Sequence, residues 1–197
     1  MTFPYVNTPI PVVLVDANVL YSRVLRDYLL CAAEQELINV NWSQSILDDV
    51  SKHLMRNLPA FSVQSAEVLQ TALLAAFPYA LVEPGSEDYA YLENLVLPDE
   101  EDREVIASAL TAQAEIICTN NIKHFPPTLL EPLGINVMTP DDLLMELIQQ
   151  HQRIMMTVHS TVVASLAQAT DESTVNALQR ARAIKTSAHL ASLLELS

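Results

Sequence analysis

The chain has 197 residues, half of them hydrophobic, which is enough for one ordinary domain with a real core and a further element. Its net charge of −14 repels nucleic acid in general and gives no grip on a membrane, and no apolar run is long enough to span a bilayer. With Gly85 and Gly134 the only glycines, Gly-rich phosphate loops of the dinucleotide or P-loop kind are excluded.

The acidity is uneven: residues 1–149 hold 6 Lys/Arg against 21 Asp/Glu, whereas residues 150–197 hold 4 against 3. Met1-Thr2-Phe3-Pro4 lacks the basic stretch of a signal peptide. Cys31 and Cys118 each sit inside an apolar run, as reduced core residues of a cytoplasmic protein would.

Val12-Val13-Leu14-Val15 is a continuous apolar, β-branched run, the pattern of a central parallel strand covered on both faces, and it stops at Asp16. A carboxylate there either faces the ligand crevice of an open α/β sheet or caps the next helix. That helix is expected through Leu20, Val24, Leu25 and Tyr28 towards Cys31 and Ala32. Ile38 to Trp42 reads as a second strand. The next helix has Ser45 and Asp48 spaced as a capping box and Ile46, Val50 and Leu54 as its buried stripe. At about 100° per residue, Asp48 falls opposite that stripe and Asp49 flanks it, aimed towards the protein body.

Residues 63–77 form another helix, which Pro78 ends, and Ala80-Leu81-Val82 a short strand. Pro84 to Asp88 reads as a turn, with one or two helical turns over Tyr89 to Leu95. In the stretch from Leu97 to Leu110, Val105, Ile106, Ala109 and Leu110 define a helix face. Extended backwards, that face is headed by Asp102 with Asp99 beside it, while Glu100, Glu101 and Glu104 point away. A carboxylate heading a buried stripe is costly unless capped, paired or metal-bound.

Glu115 to Thr119 is a β-rich run ending in Asn120-Asn121, and Ile135 to Met138 is a final strand. Thr139-Pro140-Asp141-Asp142 opens a helix that continues past His159. Thr170 to Ser173 is a break, followed by helical stretches over Val175 to Ile184 and His189 to Leu196. This divides the chain into residues 1–149 and a helical extension, 150–197.

Taken together, strand–Asp-x-Asn, a helix acid after Ser-x-Ser, Asp-Arg heading an Ala-rich helix and Thr-Asn-Asn…Phe-Pro resemble the PIN-domain nucleases. The likeness is strongest to the VapC-type toxins of prokaryotic toxin–antitoxin pairs, over about residues 10–145. It implies an α/β fold of three layers, α/β/α, with a mainly parallel central sheet. Asp16 matches the family's first metal-binding acid, Asn18 its supporting Asn, Asp49 the second acid (more often Glu), Asp102 the third, and Thr119 the Ser/Thr ending the fourth strand. Asn121 stands where many members carry a fourth Asp, a departure that weakens binding of a second metal unless Asp99 compensates. The resemblance also implies an RNA substrate, an antitoxin partner and a homodimer.

The carboxylates make a case of their own. Asp16, Asp49 and Asp102 come from three separate elements; close together they repel strongly, and all-oxygen ligands suit Mg²⁺ or Mn²⁺ and not Zn²⁺. Asp16 and Asp102 are then the expected ligands, Asp49 a holder or base of a bound water, and Asn18, Thr119 and Asn121 hydrogen-bonding supports. Arg23, Arg26, Lys52, Arg56, Lys123 and His124 could receive RNA phosphates, or be solvated surface groups. His53 reads as a half-buried histidine, and Trp42, Tyr89 and Tyr91 as core or groove-lining. Two rival readings are a catalytically degenerate PIN module serving as scaffold, and a haloacid-dehalogenase-type phosphatase. The latter chemistry wants a second Asp where Asn18 stands.

Overall fold

The computed structural model describes residues 10–196; the Met1–Pro4 segment considered for a signal lies outside them. The described strands are β1 (Val12–Val15), β2 (Asn39–Ser43), β3 (Leu81–Val82), β4 (Ile116–Cys118) and β5 (Asn136–Met138). They form one sheet in the order β3-β2-β1-β4-β5, every ladder parallel, with Val13 opposite both Val40 and Ile116. Val13, Leu14 and Val15 are all 0% exposed. Successive side chains on a strand point to opposite faces, so β1 is covered by helices on both sides.

The helices are α1 (Ala17–Leu20), α2 (Arg23–Glu34), α3 (Gln44–Asn57), α4 (Val63–Ala76), α5 (Ser86–Leu92), α6 (Arg103–Thr111), α7 (Pro127–Leu130), α8 (Pro140–Ser165), α9 (Asp171–Arg180) and α10 (Ile184–Leu193). The single helix expected after Asp16 is broken at Tyr21–Ser22 into α1 and α2; Val24, Leu25, Tyr28, Leu29 and Ala32 still form the buried face. The cap of α3 is Ser43 and not Ser45: β2 runs through Ser43, whose hydroxyl accepts from the Ile46 N–H at 3.3 Å. Likewise α5 starts at Ser86, inside the expected turn, because the Asp88 carboxylate accepts from the Gly85 N–H at 2.9 Å. The last helix begins at Ile184, five residues before the expected His189.

The C-terminal helices join the same core. α2 packs against α8 and α9, α10 packs against both α8 and α9, and Val175, Leu178, Ala183 and Leu190 belong to one continuous apolar cluster with β1. α8 is non-helical at His151 (φ −136°, ψ 41°), with buried residues on either side of the break. Inside this region His159, 1% exposed, is hydrogen-bonded through Nδ1 to the Tyr28 hydroxyl and through Nε2 to Asp171 at 3.1 Å, tying α2, α8 and α9 together.

The chain order of the strands reverses at β1, so the carboxyl ends of β1 and β4 flank a topological switch point, where open α/β sheets leave a crevice. Asp16 and Thr119 are the first residues beyond those two strands.

Candidate active site

Asp16 is still held by the sheet, its N–H donating to the Cys118 carbonyl at 3.1 Å. It occupies the N-cap of α1 without a full side-chain cap hydrogen bond, although the Ala17 and Asn18 N–H groups of the first turn favour its charged form, so capping accounts for part of its setting. Its hydrogen-bonded partners of ordinary geometry are side chains. Oδ2 accepts from the Thr119 hydroxyl at 2.7 Å and from the Asn18 amide. Asn18 Nδ2 also donates to Thr119 Oγ1 at 2.8 Å, and Asn18 Oδ1 accepts from the Asn120 N–H at 2.9 Å. The Asn121 N–H completes the Thr119 oxygen at 3.0 Å, so this hydroxyl uses its one donor and both acceptor positions. No side-chain donor reaches Asp16 Oδ1 among the described residues. Burial raises the Asp16 pKa above the usual carboxylate range; the Thr119 hydrogen bond opposes the rise and the charge of Asp49 adds to it.

A second group stands beside this one. Asp99 caps the 3-10 turn Glu100–Asp102, accepting from the Glu101 N–H at 3.0 Å, and α6 follows at once. The Asp102 side chain is 15% exposed and lies 2.9 Å from His124 Nδ1, which is also 3.9 Å from Asp99. One ligand atom from each of Asp99, Asp102 and His124 falls within 4.8 Å of the others. The Asp102 carboxyl is pushed up first by burial, then by the charges of Asp99 and Asp16, with His124 opposing. Asp16, Asp49 and Asp102 thus act on one another in the order Asp49–Asp16–Asp102.

The tightest cluster is therefore Asp99–Asp102–His124, not the set Asp16, Asp49 and Asp102 alone. Asp49 does not point into the body: its side chain is 57% exposed and paired with Lys52 at 2.8 Å. The buried arc of α3 includes Leu47 and Ser51 as well as Ile46, Val50 and Leu54. About its true centre Asp48 and Asp49 fall symmetrically outside, each by about 130°. Asp48 accepts from Gln44 at 2.9 Å and from Gln70 at 3.3 Å. Asn121 is exposed and its side chain makes no hydrogen bond among the described residues; its N–H donates to Thr119 and its carbonyl accepts from the His124 N–H at 2.9 Å.

The cation assignments change too. Arg26 does not face a substrate, because its guanidinium is spent on the Leu20 carbonyl at 2.8 Å and burial lowers its pKa. Lys52 is committed to Asp49, Arg23 lies 3.6 Å from Asp27, and Lys123 is exposed without an ion pair among the described residues. Glu104 does not point away: it accepts from the Tyr89 hydroxyl. Trp42 is core, 0% exposed, and His53 stacks on Tyr21 with ring centroids 4.0 Å apart.

His124 is the residue that sequence reasoning misplaced, grouping it with phosphate contacts. Arg103 was missed outright: it donates to the Leu92 and Leu95 carbonyls and to Glu100, fixing the stretch before α6 and so the position of Asp102. Its one signal was adjacency to Asp102.

The donor chemistry fits a divalent ion. Asp99 and Asp102 with the imidazole of His124 offer two oxygens and a nitrogen within reach of one centre, with Asp16 at the neighbouring strand end. The nitrogen departs from the all-oxygen set expected.

A family model described as PIN domain matches residues 12–123, more than half of the chain. A curated relative from Mycobacterium tuberculosis (strain ATCC 25618 / H37Rv), named "Putative ribonuclease VapC50", is 47% identical over 45 residues, 23% of this chain and 27% of that protein. The chain thus aligns with about a quarter of that relative's length, and no solved structure matches it. A parallel sheet ordered β3-β2-β1-β4-β5, acids beyond its strands and a family match from β1 through the turn before His124 agree: this chain belongs to the PIN domain family.

Proposed function

We propose that the protein is a divalent-metal-dependent endoribonuclease that hydrolyses RNA phosphodiester bonds, the toxin of a VapC-type toxin–antitoxin pair. The carrying observation is that Asp16 and Asp102, 86 positions apart in sequence, are withdrawn from solvent close enough together for the Asp16 charge to push the Asp102 pKa up, beside a third carboxylate and an imidazole. Carboxylates in that state are held for a cation or a proton. Mg²⁺ or Mn²⁺ would be held by Asp16 and Asp102, with Asp99 and His124 alongside. Bound there, the ion supplies a water acidified for attack on phosphorus and offsets the charge developing on the phosphate.

The chain's own residues orient and hold. Thr119 and Asn18 fix the Asp16 carboxylate through Oδ2 at the strand end. Asp49, whose charge reaches Asp16, positions a water or takes its proton once released from Lys52. The Asn121 N–H completes Thr119, so Asn121 acts through its backbone. The nuclease unit comprises residues 1–149, with 150–197 as a helical extension. The protein is a cytoplasmic homodimer restrained by an antitoxin that covers the acidic edge. No helix of the described residues is long and apolar enough to cross a membrane.

The test is cleavage of single-stranded RNA by the purified chain with Mn²⁺, Mg²⁺ or EDTA. Cleavage should need the metal, vanish in Asp16→Asn and Asp102→Asn, and in His124→Ala require more Mn²⁺. The exposed Asn121 amide and the Asp49–Lys52 pair favour a second reading, a degenerate scaffold. Absence of cleavage with any divalent ion would select it.

A further inference from the structure

A cleft of about 710 Å³ has Asn18 and Asn121 in its lining, so it borders the proposed active site through the Asn18 that holds Asp16. Tyr21 and His53 form part of its wall, their rings stacked with an interplanar angle of 20°. The remaining wall belongs to the C-terminal helices: Arg180 ends α9 and Arg182 follows it. We infer that the helical extension builds the substrate groove of the nuclease, Arg180 and Arg182 together with Arg23 receiving the phosphates of a single-stranded RNA that runs on to Asp16 and Asp102. This rests on the nuclease reading above.

The chain has 10 Lys/Arg in a total charge of −14. Arg26, Lys52, Arg103 and Lys185 are each engaged by a carbonyl or carboxylate of the fold. Arg180 and Arg182 are exposed and make no ion pair among the described residues, and they share this one cleft with Arg23, which lies 3.6 Å from Asp27 but keeps an exposed side chain. Arg182 is in the left-handed conformation (φ 68°), fixed by its N–H to the Gln179 carbonyl at 3.0 Å and by Ala183 N–H to the Leu178 carbonyl at 2.9 Å. This is the helix-ending position glycine usually takes, and here it directs an arginine from a set turn. Phosphates bridge guanidiniums and a metal-loaded carboxylate edge, whereas an acidic peptide has no such continuation. The Tyr21–His53 plane offers a π-face to a base.

The experiment is fluorescence anisotropy of a labelled, hydrolysis-resistant 12-nucleotide phosphorothioate RNA of mixed sequence on the full chain with Mn²⁺, from 50 to 200 mM salt. Arg180→Ala/Arg182→Ala should weaken binding at least tenfold. It should also flatten the log–log salt slope by about 1.4, roughly 0.7 for each phosphate no longer neutralised. Arg180→Lys/Arg182→Lys should retain the slope, and this second variant separates lost charge from lost fold. Equal affinity and slope in the alanine variant overturn the inference while a cleaving parent keeps the nuclease reading. A parent that neither binds nor cuts RNA overturns both. Loss of binding to a labelled 12-residue polyglutamate with RNA binding intact assigns the wall to an acidic protein and also overturns it.

Discussion

Asp141 offers the sharpest test of how the extension is held. It lies in the first turn of α8 and is 9% exposed. Oδ1 accepts from the Thr186 N–H and hydroxyl, both at 2.8 Å, and Oδ2 accepts from the Lys185 N–H at 2.9 Å. Ala183, the residue preceding α10, has no side chain able to cap it, so a carboxylate more than forty positions earlier in the sequence caps this helix instead. Asp141→Ala removes three hydrogen bonds to a charged acceptor. If water replaced them the cost would be that of an ordinary cap, about 1–2 kcal/mol. Thr186 is 0% exposed, however, and while its hydroxyl keeps the Asp141 backbone carbonyl at 3.2 Å its N–H is left dry, which raises the expected loss to about 2–4 kcal/mol. For this length that is roughly 4–16 °C in Tm. Urea denaturation followed by circular dichroism measures it, and hydrogen exchange should show α10 losing protection before β1 and β4. A variant within about 0.5 kcal/mol of the parent, with α10 still protected, would refute the reasoning.

Two further outcomes follow from the buried polar groups. Asp16 has a raised folded pKa, so its protonated form stabilises the fold below the ordinary carboxylate pKa, and that contribution is lost as pH rises through the folded value. Metal-free Asp16→Asn should therefore melt higher than the parent at pH 7, with the gap closing towards pH 4. Mn²⁺ at a hundred times its Kd should stabilise the parent by about 2.7 kcal/mol and the variant far less; a parent that melts higher without metal would contradict this. Tyr28→Phe leaves His159 Nδ1 without its partner in a site 1% exposed and should lower stability by about 1–3 kcal/mol with an unchanged m-value, measured by denaturant titration.

What was legible in the sequence was whatever depends on runs and periods. The apolar run 12–15 ending at Asp16 announced a covered central strand with a carboxylate at its end, because burial on both faces leaves no room for alternation. The Asp102 face was legible because a helical stripe can be extended backwards by a turn. Asp49 was misplaced because three stripe residues, Ile46, Val50 and Leu54, underestimate an arc that Leu47 and Ser51 widen on one side only. His124 was illegible for a different reason. It ends the 3-10 turn Ile122–His124, too short to show a period, and its direction is set by where α6 brings Asp102. Nor could spacing show that α9 and α10 return to α2 and α8, since that packing depends on the long path of α8 and on Asp141.

The electrostatics of the chain are resolved by distance rather than by totals. An overall charge of −14 argues against nucleic-acid binding only if the charges act together. At physiological ionic strength exposed charges further apart than about 8 Å are largely screened. What an RNA phosphate at the crevice would meet is therefore local: Asp16, Asp99 and Asp102, and the guanidiniums of the neighbouring cleft. Without an ion the carboxylates repel it, and with one bound the sign at that point inverts. On the proposed reading, the acidic remainder of the surface has its own consequence. It withholds general affinity for nucleic acid, so that binding requires metal and cleft to be engaged together. A basic nuclease would hold RNA along its whole surface and owe little to its metal. Here the affinity of the unsubstituted chain should rise steeply with Mn²⁺ and collapse with EDTA, even for an RNA that resists hydrolysis.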